Sequence, residues 1–228
     1  MAHFSLAPLD LAALLSSRVC HDVISPVGAI VNGLEVLDSE DDPEMRSIAM
    51  ALIKKSAESA SARIQFCRLA FGAAGSQSAS MDTGDAESVA RGLLSNDRTQ
   101  LHWNISRRHV PKNFVKLGLN LCLVAAAAIP RGGVISVYAE GDSDLSEIRV
   151  SATGTNARLP HAVTRVLAGD PAELIDARSI QPYYAFLLAD QCGMDIRTVV
   201  SAERVTLTAI LSDRRGGQPQ FESNSLQF

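Results

Sequence analysis

The sequence predicts an α+β fold, in which an N-terminal antiparallel helical hairpin is followed by a two-layer α/β sandwich. Two observations lead to this prediction. A helical repeat of apolar residues continues through the first third of the chain, and short helices and alternating strands come after a small polar stretch. We place the hairpin at residues 1–75, the sandwich at 76–215 and a loose tail at 216–228.

The composition limits the classes of function. The chain has 228 residues, 46% hydrophobic and 20% charged, which is enough for one large core or two smaller ones. The net charge of −4 gives no broad basic field, so we expect no nucleic acid as a main partner. We also expect no membrane span, since no apolar run looks long enough, and no secretion signal at Met1 to Phe4.

The cysteines carry no metal-binding pattern. All four lie far apart in apolar segments, without the spacing of a zinc or redox site: Cys20, Cys67, Cys122 and Cys192. We therefore expect buried, reduced thiols and a cytoplasmic protein.

The first helix is predicted from about Pro8 to Leu37. At 100° per residue, its apolar residues fall on one broad face. Polar or small residues fall on the opposite face, namely Arg18, His21, Asp22, Ser25, Gly28 and Asn32. A core histidine would lie on the apolar face, so the position of His21 favours a function over a structural role.

The second helix is predicted from Pro43 to about Phe71. Asp42 can cap it, Pro43 suits its first position, and Gly72 and Gly75 follow its end. Each helix would be about 45 Å long, and an isolated pair of that length cannot bury both apolar stripes. We therefore predict a homodimer with a four-helix bundle; the alternative is a hairpin that packs only against its own chain.

The sequence after the hairpin predicts helices packed on a largely antiparallel sheet. A linker is expected at residues 75–80. The predicted helices are 86–95, 112–128, 161–168, 171–177 and 181–191, and the predicted strands are 99–105, 134–140, 147–152, 194–200 and 204–211. Helices grouped on one such sheet make a two-layer sandwich.

The segment from His21 to Ile30 resembles the phosphoacceptor box of sensor histidine kinases. It has a histidine, an acidic neighbour, a small polar residue four positions on, and then Pro26. The order of the domains is similar to a kinase dimerisation domain followed by its ATP-binding domain. The resemblance implies that His21 is the phosphoacceptor and that Asp22 orients it or handles its proton, although a solvated aspartate is an equal alternative.

The sandwich departs from the kinase pattern at the residues that hold ATP. Val124 stands where kinases have a magnesium-binding asparagine, and Ala152 and Asn156 replace an aspartate and a glycine of the adenine-reading motif. Residues 179–185 contain no glycine where a phosphate loop is expected. Without an oxygen ligand or a close backbone approach, magnesium and phosphates are not held. We expect a degenerate histidine-kinase ATPase-like domain, with no cofactor or metal bound by this chain.

A kinase-shaped chain without ATP chemistry resembles the histidine phosphotransferases of the ChpT type. These proteins pass a phosphoryl group between receiver domains in a phosphorelay. The resemblance implies a hybrid-kinase receiver domain (CckA-like) as the donor and response regulators (CtrA-like and CpdR-like) as acceptors. Magnesium would come from the partner receiver.

The neighbours of His21 on the helix are candidates for receiver binding. Arg18 and Ser25 lie one turn to either side and can reach the imidazole or an added phosphoryl group. Gly28 leaves room for a receiver loop, and Asn32 continues the strip. For Arg18, Gly28 and Asn32, an ordinary solvated or helix-tolerated role is the alternative.

Leu11 and Leu14 are further candidates, because they fall at the edge of the same strip. Exposed apolar residues beside an active side chain suggest a docking patch. The alternative is contact with the chain's own sandwich domain.

Two other functions stay open. One is an ATP-dependent histidine kinase with eroded motifs, and the other is a dimeric scaffold that docks receivers without chemistry. A receiver-phosphatase side activity, with Ser25 orienting a water molecule, is also compatible with the sequence.

Overall fold

The computed structural model describes residues 6–72, 80–141, 145–170, 175–176 and 179–212. The helices are α1 (Pro8–Ser39), α2 (Pro43–Ala70), α3 (Thr83–Leu94), α4 (Lys112–Ala128), α5 (His161–Leu167) and α6 (Ile180–Gln191). The strands are β1 (Ser80–Asp82), β2 (Thr99–Asn104), β3 (His109–Pro111), β4 (Gly133–Glu140), β5 (Glu147–Thr153), β6 (Met194–Ser201) and β7 (Arg204–Leu211).

The predicted helical hairpin is confirmed, and a tight polar turn joins its two helices. Asp42 caps α2 by accepting a hydrogen bond from the Glu44 amide at 3.1 Å, and Pro43 takes the first helical position. The Arg46 guanidinium donates to the carbonyls of Leu37 and Glu40. These bonds satisfy carbonyl groups that the end of α1 leaves open.

The inward face of α1 packs closely on α2. Gly33 is buried, and a Cβ atom there would lie 2.6 Å from Cγ1 of Ile53, so a larger residue would push the helices apart. Pro26 is also buried, and α1 continues through it. Because proline has no amide hydrogen, the carbonyl of Asp22 lacks its usual helical partner.

A second apolar face of the hairpin is exposed in the single chain. It includes Ile24, Val27, Val31 and Leu34 on α1 and Met45, Ile48, Leu52 and Ile64 on α2. The broad apolar face predicted for α1 therefore divides into one side against α2 and one side without a partner in this chain. With both sides apolar, α1 reaches the length and mean hydropathy (1.2) of a membrane-crossing helix, contrary to the expectation that no segment does.

The α/β domain is a two-layer sandwich, as predicted. Its five-stranded sheet has the order β2-β4-β5-β7-β6, with β2 and β4 parallel and every other neighbouring pair antiparallel. Side chains alternate along the strands. One face buries Ile135, Val137, Val150 and Leu207 in the core shared with the helices, and the other face carries more exposed residues such as Tyr138 and Arg149.

Two elements were absent from the sequence prediction. Ser80, placed in the linker, begins β1, and β1 pairs with β3 in a separate two-stranded sheet. Asp82 then caps α3 through its bond from the Gly84 amide (2.8 Å), so α3 begins before Ala86. Three-residue strands show too little alternation to predict. The predicted helix at 171–177, linker residues 75–79 and the tail at 216–228 lie wholly or largely outside the described residues.

A buried amide joins the end of the hairpin to the α/β domain. The Asn120 side chain in α4 is fully buried, and its Nδ2 donates to the carbonyls of Ala70 (3.2 Å) and Lys116 (2.8 Å). Its Oδ1 accepts from Nε2 of Gln181 at 3.4 Å. The buried Lys116 ammonium also donates to the Gly72 carbonyl. Side-chain donors from α4 thus bond to carbonyl groups that the C-terminal end of α2 leaves without helical partners.

Substitution of this amide should destabilise the whole molecule. We expect Asn120→Ala to lower the free energy of unfolding by about 2–3 kcal/mol, because it leaves the buried carbonyl of Ala70 and the buried amide of Gln181 without their partner. Urea denaturation followed by circular dichroism measures the change. Asn113→Ala is the matched control, since its bond to Oε1 of Gln191 lies on the surface and should be worth under about 1 kcal/mol. Equal, small effects of the two substitutions would contradict a structural role for Asn120.

Candidate functional site

The His21 side chain is presented to solvent near the middle of α1. It is 83% exposed, and its Nδ1 lies 3.5 Å from Oδ1 of Asp22. This distance is long for a hydrogen bond, but it places a carboxylate beside one ring nitrogen. The other nitrogen, Nε2, is then the one free to act as a nucleophile.

Asp22 lies between His21 and Arg18. Its side chain is 21% exposed, and its Oδ2 accepts a hydrogen bond from Nε of Arg18 at 3.1 Å, one helical turn away. The sequence predicted that Arg18 can reach the imidazole or an added phosphoryl group and that Asp22 is a possible orienter of His21. In the structure the two carboxylate oxygens of Asp22 face different neighbours, Oδ2 towards Arg18 and Oδ1 towards His21. The result is a chain of contacts from Arg18 through Asp22 to His21.

Ser25, Gly28 and Asn32 lie on the exposed surface of α1. A Cβ atom at Gly28 would have no heavy atom within 4 Å, counting neither the adjoining residues nor the local backbone of α1, so this stretch is open. That openness is compatible with the predicted receiver contacts. The binding role of each of these residues stays a prediction.

Leu11 and Leu14 are not freely exposed, which corrects the premise of their docking role. Together with Leu6 and Leu15 they pack against a buried cluster of the α/β domain that consists of Val166, Ile175, Ile180 and Tyr183. The Leu6 amide also donates to the Tyr183 hydroxyl at 3.1 Å. Contact with the chain's own sandwich, the alternative considered for these leucines, is therefore present. A receiver contact by their exposed parts is untested.

Of the three substituted kinase positions, Val124 and Ala152 are buried and Asn156 is exposed. Val124 in α4 is 4% exposed and Ala152 in β5 is fully buried. The residues at the start of α6, Ile180 to Tyr183, are buried where a glycine loop would stand. Just before them, Asp176 and Ser179 exchange hydrogen bonds: each side-chain oxygen accepts from the other's amide at 2.8 Å.

The cysteines differ in their surroundings. Burial raises the pKa of Cys122 to about 12 and that of Cys192 to about 11. Cys122 is buried, Cys67 and Cys192 are half-buried, and Cys20 is exposed on α1, so the expectation that all four cysteines are buried holds fully for Cys122 and is wrong for Cys20. Among the described residues, His, Cys, Asp and Glu form no group of three or more that could hold a metal ion.

A cavity of about 390 Å³ adjoins Asp22 between the hairpin and the α/β domain. Burial is the main cause that raises the pKa of Cys67 in its wall; the charge of Asp22 adds to the rise, and Arg18 and Arg63 oppose it. Sequence reasoning did not identify Arg63 or Cys67 as neighbours of the site. Their spacing of four on α2 puts them on one face, but nothing in the sequence shows that this face meets Asp22.

Comparison with known proteins agrees with this arrangement. Residues 83–204 match the family model described as the histidine phosphotransferase C-terminal domain. Protein phosphotransferase ChpT of Brucella abortus (strain 2308) is 48% identical over 206 residues, which cover 90% of this chain and 97% of that protein.

Solved structures are also similar. A bacterial phosphotransferase determined at 1.7 Å superposes with a TM-score of 0.83 and 46% identity, over 91% of this chain and 98% of the other. The Acinetobacter baumannii histidine kinase AdeS aligns less closely, with a TM-score of 0.42 and 8% identity, over 84% of this chain and 97% of that one.

The resemblance predicted from the sequence is thereby confirmed. The identity to the Brucella protein extends over both the hairpin and the sandwich, and the family model covers more than half of the chain. The chain belongs to the ChpT family of histidine phosphotransferases.

Proposed function

We propose that this protein carries phosphoryl groups between receiver domains through His21, and that it does so without binding ATP. Histidine phosphotransfer within a phosphorelay follows from the family. The observation that carries the residue assignment is the exposed imidazole of His21, with the Asp22 carboxylate beside its Nδ1 and no side chain of this chain over Gly28.

The first step transfers the phosphoryl group from a receiver to His21. Nε2 of the neutral imidazole attacks the phosphorus of the receiver's aspartyl phosphate, an N–P bond forms, and the P–O bond to the aspartate breaks. The aspartate leaves as a carboxylate, and the ring becomes cationic with its proton on Nδ1. The Asp22 carboxylate stabilises this positive charge.

The second step is the reverse reaction with another receiver. The acceptor's aspartate attacks the phosphorus, and the N–P bond breaks. His21 returns to the neutral form with Nδ1 still protonated, so no net proton is exchanged. Magnesium bound to the receiver would supply the charge compensation that phosphoryl transfer requires.

Arg18 positions Asp22 in this scheme. A half-exposed ion pair of this kind adds under about 1 kcal/mol to stability, so its value lies in orienting the carboxylate. Helix α1 supplies both residues at a fixed spacing of one turn.

The loss of ATP binding is supported by what replaces the kinase motifs. Val124 and Ala152 have no side-chain oxygen, and both are packed in the core. At the start of α6, Pro182 and Tyr183 are buried, where a phosphate chain would need open backbone amides.

A homodimer would cover the exposed apolar face of the hairpin. Ile24, Val31 and Leu34 on α1 continue beside exposed residues of α2, and two such hairpins form a four-helix bundle. A lipid bilayer is less suited than a second hairpin to bury this face of α1. Arg18, His21 and Asp22 lie in the middle of the helix, and charged groups are costly inside a bilayer.

The proposed partners follow from the resemblance to ChpT-type proteins. A CckA-like hybrid kinase would donate through its receiver domain, and CtrA-like and CpdR-like regulators would accept. All three would meet this protein in the cytoplasm.

Replacement of the phosphoacceptor should abolish phosphotransfer. A receiver domain labelled on its aspartate with radioactive phosphate should transfer acid-labile label to the wild-type protein and none to His21→Ala. His102→Ala is the matched control, since this histidine is exposed on β2 and should accept no label. Radiolabelled ATP, offered as a second donor, should label neither protein.

Each alternative function predicts a different result in this experiment. Label from ATP on His21 would indicate an active kinase. Undiminished signalling through His21→Ala would indicate a scaffold, and release of all label as inorganic phosphate would indicate a phosphatase.

Removal of the Asp22 charge should slow transfer without affecting docking. We expect Asp22→Asn to lower the rate about 10-fold to 100-fold, because the amide cannot stabilise the cationic ring as a carboxylate does. Rapid-quench kinetics gives the rate, and fluorescence anisotropy gives the receiver affinity. Asp38→Asn, on the exposed C-terminal turn of the same helix, should leave both unchanged. A loss of affinity with an unchanged rate would make Asp22 a docking residue instead.

A charge on the apolar stripe should separate the dimer. Leu34 is 49% exposed, and we expect Leu34→Glu to weaken dimerisation about 100-fold or more, because the carboxylate would be buried without a partner. Sedimentation equilibrium measures the association. Val199→Glu introduces the same charge at a 64% exposed position on β6 and should remain dimeric. If both variants stay dimeric, this stripe is not the interface.

A further inference from the structure

The cavity between the hairpin and the α/β domain adjoins the proposed phosphotransfer site at Arg18 and Asp22, but its other lining residues have no role in the proposed phosphotransfer. Its volume is about 390 Å³, within the range of small-molecule sites. Helix α2 supplies Arg63 and Phe66 on one side, and the α3–β2 connection supplies Asn96 and Arg98 on the other. We name it the junction cavity.

The junction cavity has an excess of positive charge. Arg18, Arg63 and Arg98 line it, and within the described part of the chain Asp22 is the one lining carboxylate. Asp22 is already paired with Arg18. Among the described residues, no carboxylate forms an ion pair with Arg63 or Arg98, and the nearest hydrogen-bond partner of the Arg63 guanidinium is Oγ of Ser59 at 3.5 Å. Two guanidinium groups are therefore available to an anion, although the chain as a whole carries a net charge of −4.

The wall that carries Arg98 is well defined. Oδ1 of Asn96 accepts from the amides of Arg98 (2.9 Å) and Thr99 (3.0 Å), and the Arg98 carbonyl accepts from the Gly133 amide at 2.9 Å. Gly132 has φ of +91°, and a Cβ atom there would overlap the Arg98 backbone. The backbone at Arg98 is thus held before any ligand arrives, which lowers the entropic cost of binding.

Much of the remaining lining is apolar. Leu93, Leu123 and Ala126 line the cavity and are partly exposed, so their side chains are accessible to a ligand. Charged groups on an apolar surface suit a ligand that has one anionic group and a flat or aliphatic body. The kinase-like positions Val124 and Ala152 are buried and are not part of this lining.

We propose that the junction cavity binds a small organic anion, whose phosphate or carboxylate group pairs with Arg63 and Arg98 and whose apolar body lies against Leu93 and Leu123. The proposal concerns the free protein and does not require that His21 carry a phosphoryl group. Its failure and the failure of the phosphotransfer proposal are therefore distinguishable.

Phenyl phosphate is the probe, because it combines a phosphate with an apolar ring. Isothermal titration calorimetry on the full chain should show saturable binding of phenyl phosphate. Inorganic phosphate, which lacks the ring, and benzyl alcohol, which lacks the charge, should each bind at least about 10-fold more weakly.

Charge-removing variants test the two arginines. Arg63→Gln and Arg98→Gln should each weaken phenyl phosphate binding about 10-fold, the effect of losing one hydrogen bond to a charged group. Arg68→Gln is the matched control: this residue is exposed on α2, lies outside the cavity and should bind like the wild type. Leu93→Trp keeps every charge and fills part of the cavity, so it should also lose binding.

The native cysteines give a second, independent readout. Cys67 lies in the cavity wall and Cys20 is exposed elsewhere on the hairpin, so phenyl phosphate should slow the alkylation of Cys67 by iodoacetamide and leave Cys20 unchanged. Peptide mass spectrometry resolves the two sites. The proposal is overturned if no probe gives saturable binding, if both arginine variants bind as the wild type does, or if Cys67 is not protected.

Discussion

The arrangement of the site depends on one buried amide. Asn120 supplies the donor that the last turn of α2 lacks, and Lys116 supplies another to Gly72. At the same open end of the hairpin, on the other helix, the Leu6 amide bonds to the Tyr183 hydroxyl, and the nearby leucines pack on the same cluster. The hairpin is therefore held at α2 by α4 and at α1 by α6. These attachments fix the hairpin against the α/β domain, and the junction cavity lies beside them, nearer the middle of α1 and α2.

This attachment fits the loss of the kinase motifs. A kinase domain must bring a bound nucleotide to the histidine and withdraw again, which requires a mobile junction. Here the side chain of Asn120 in α4 bonds to the end of α2. Val124, at the position of the magnesium-binding asparagine of kinases, is packed in the core. In our proposal the phosphoryl group arrives on another protein, so the domain has no nucleotide to deliver. An α/β domain held in a fixed position beside His21 is then an advantage, because receivers meet a binding surface of constant shape.

The sequence predicted most of the fold, because long periodic segments carry strong signals. The helix at 112–128 and the strand at 204–211 were placed at their observed ends, and the cap at Asp42 was identified from residue types alone. The strands β1 and β3 were missed, since three residues show little periodicity and their pairing joins positions far apart in the chain.

The site was predicted in outline but not in its contacts. His21 stood out because one polar residue on an amphipathic helix is informative. Helical periodicity could not show that Asp22 bridges Arg18 and His21, because side-chain torsions decide which carboxylate oxygen faces which neighbour. It also could not show that Leu11 and Leu14 pack on the cluster near Tyr183, since this contact depends on tertiary structure. Local periodicity identified the proposed phosphoacceptor, and only the packed domain identified its surroundings.

Helix α1 has different requirements on each of its sides, and its two glycines illustrate them. Gly33 faces α2, where the helices approach so closely that Ile53 leaves no room for a Cβ atom. Gly28 has nothing from its own chain within 4 Å, so packing within the chain does not require a glycine there. A single glycine inside a helix costs about 1 kcal/mol relative to alanine. Packing accounts for that cost at Gly33. At Gly28, seven residues beyond His21, packing within the chain does not account for it; the open space agrees with the proposed approach of a receiver loop, and a glycine merely tolerated by the helix is the alternative.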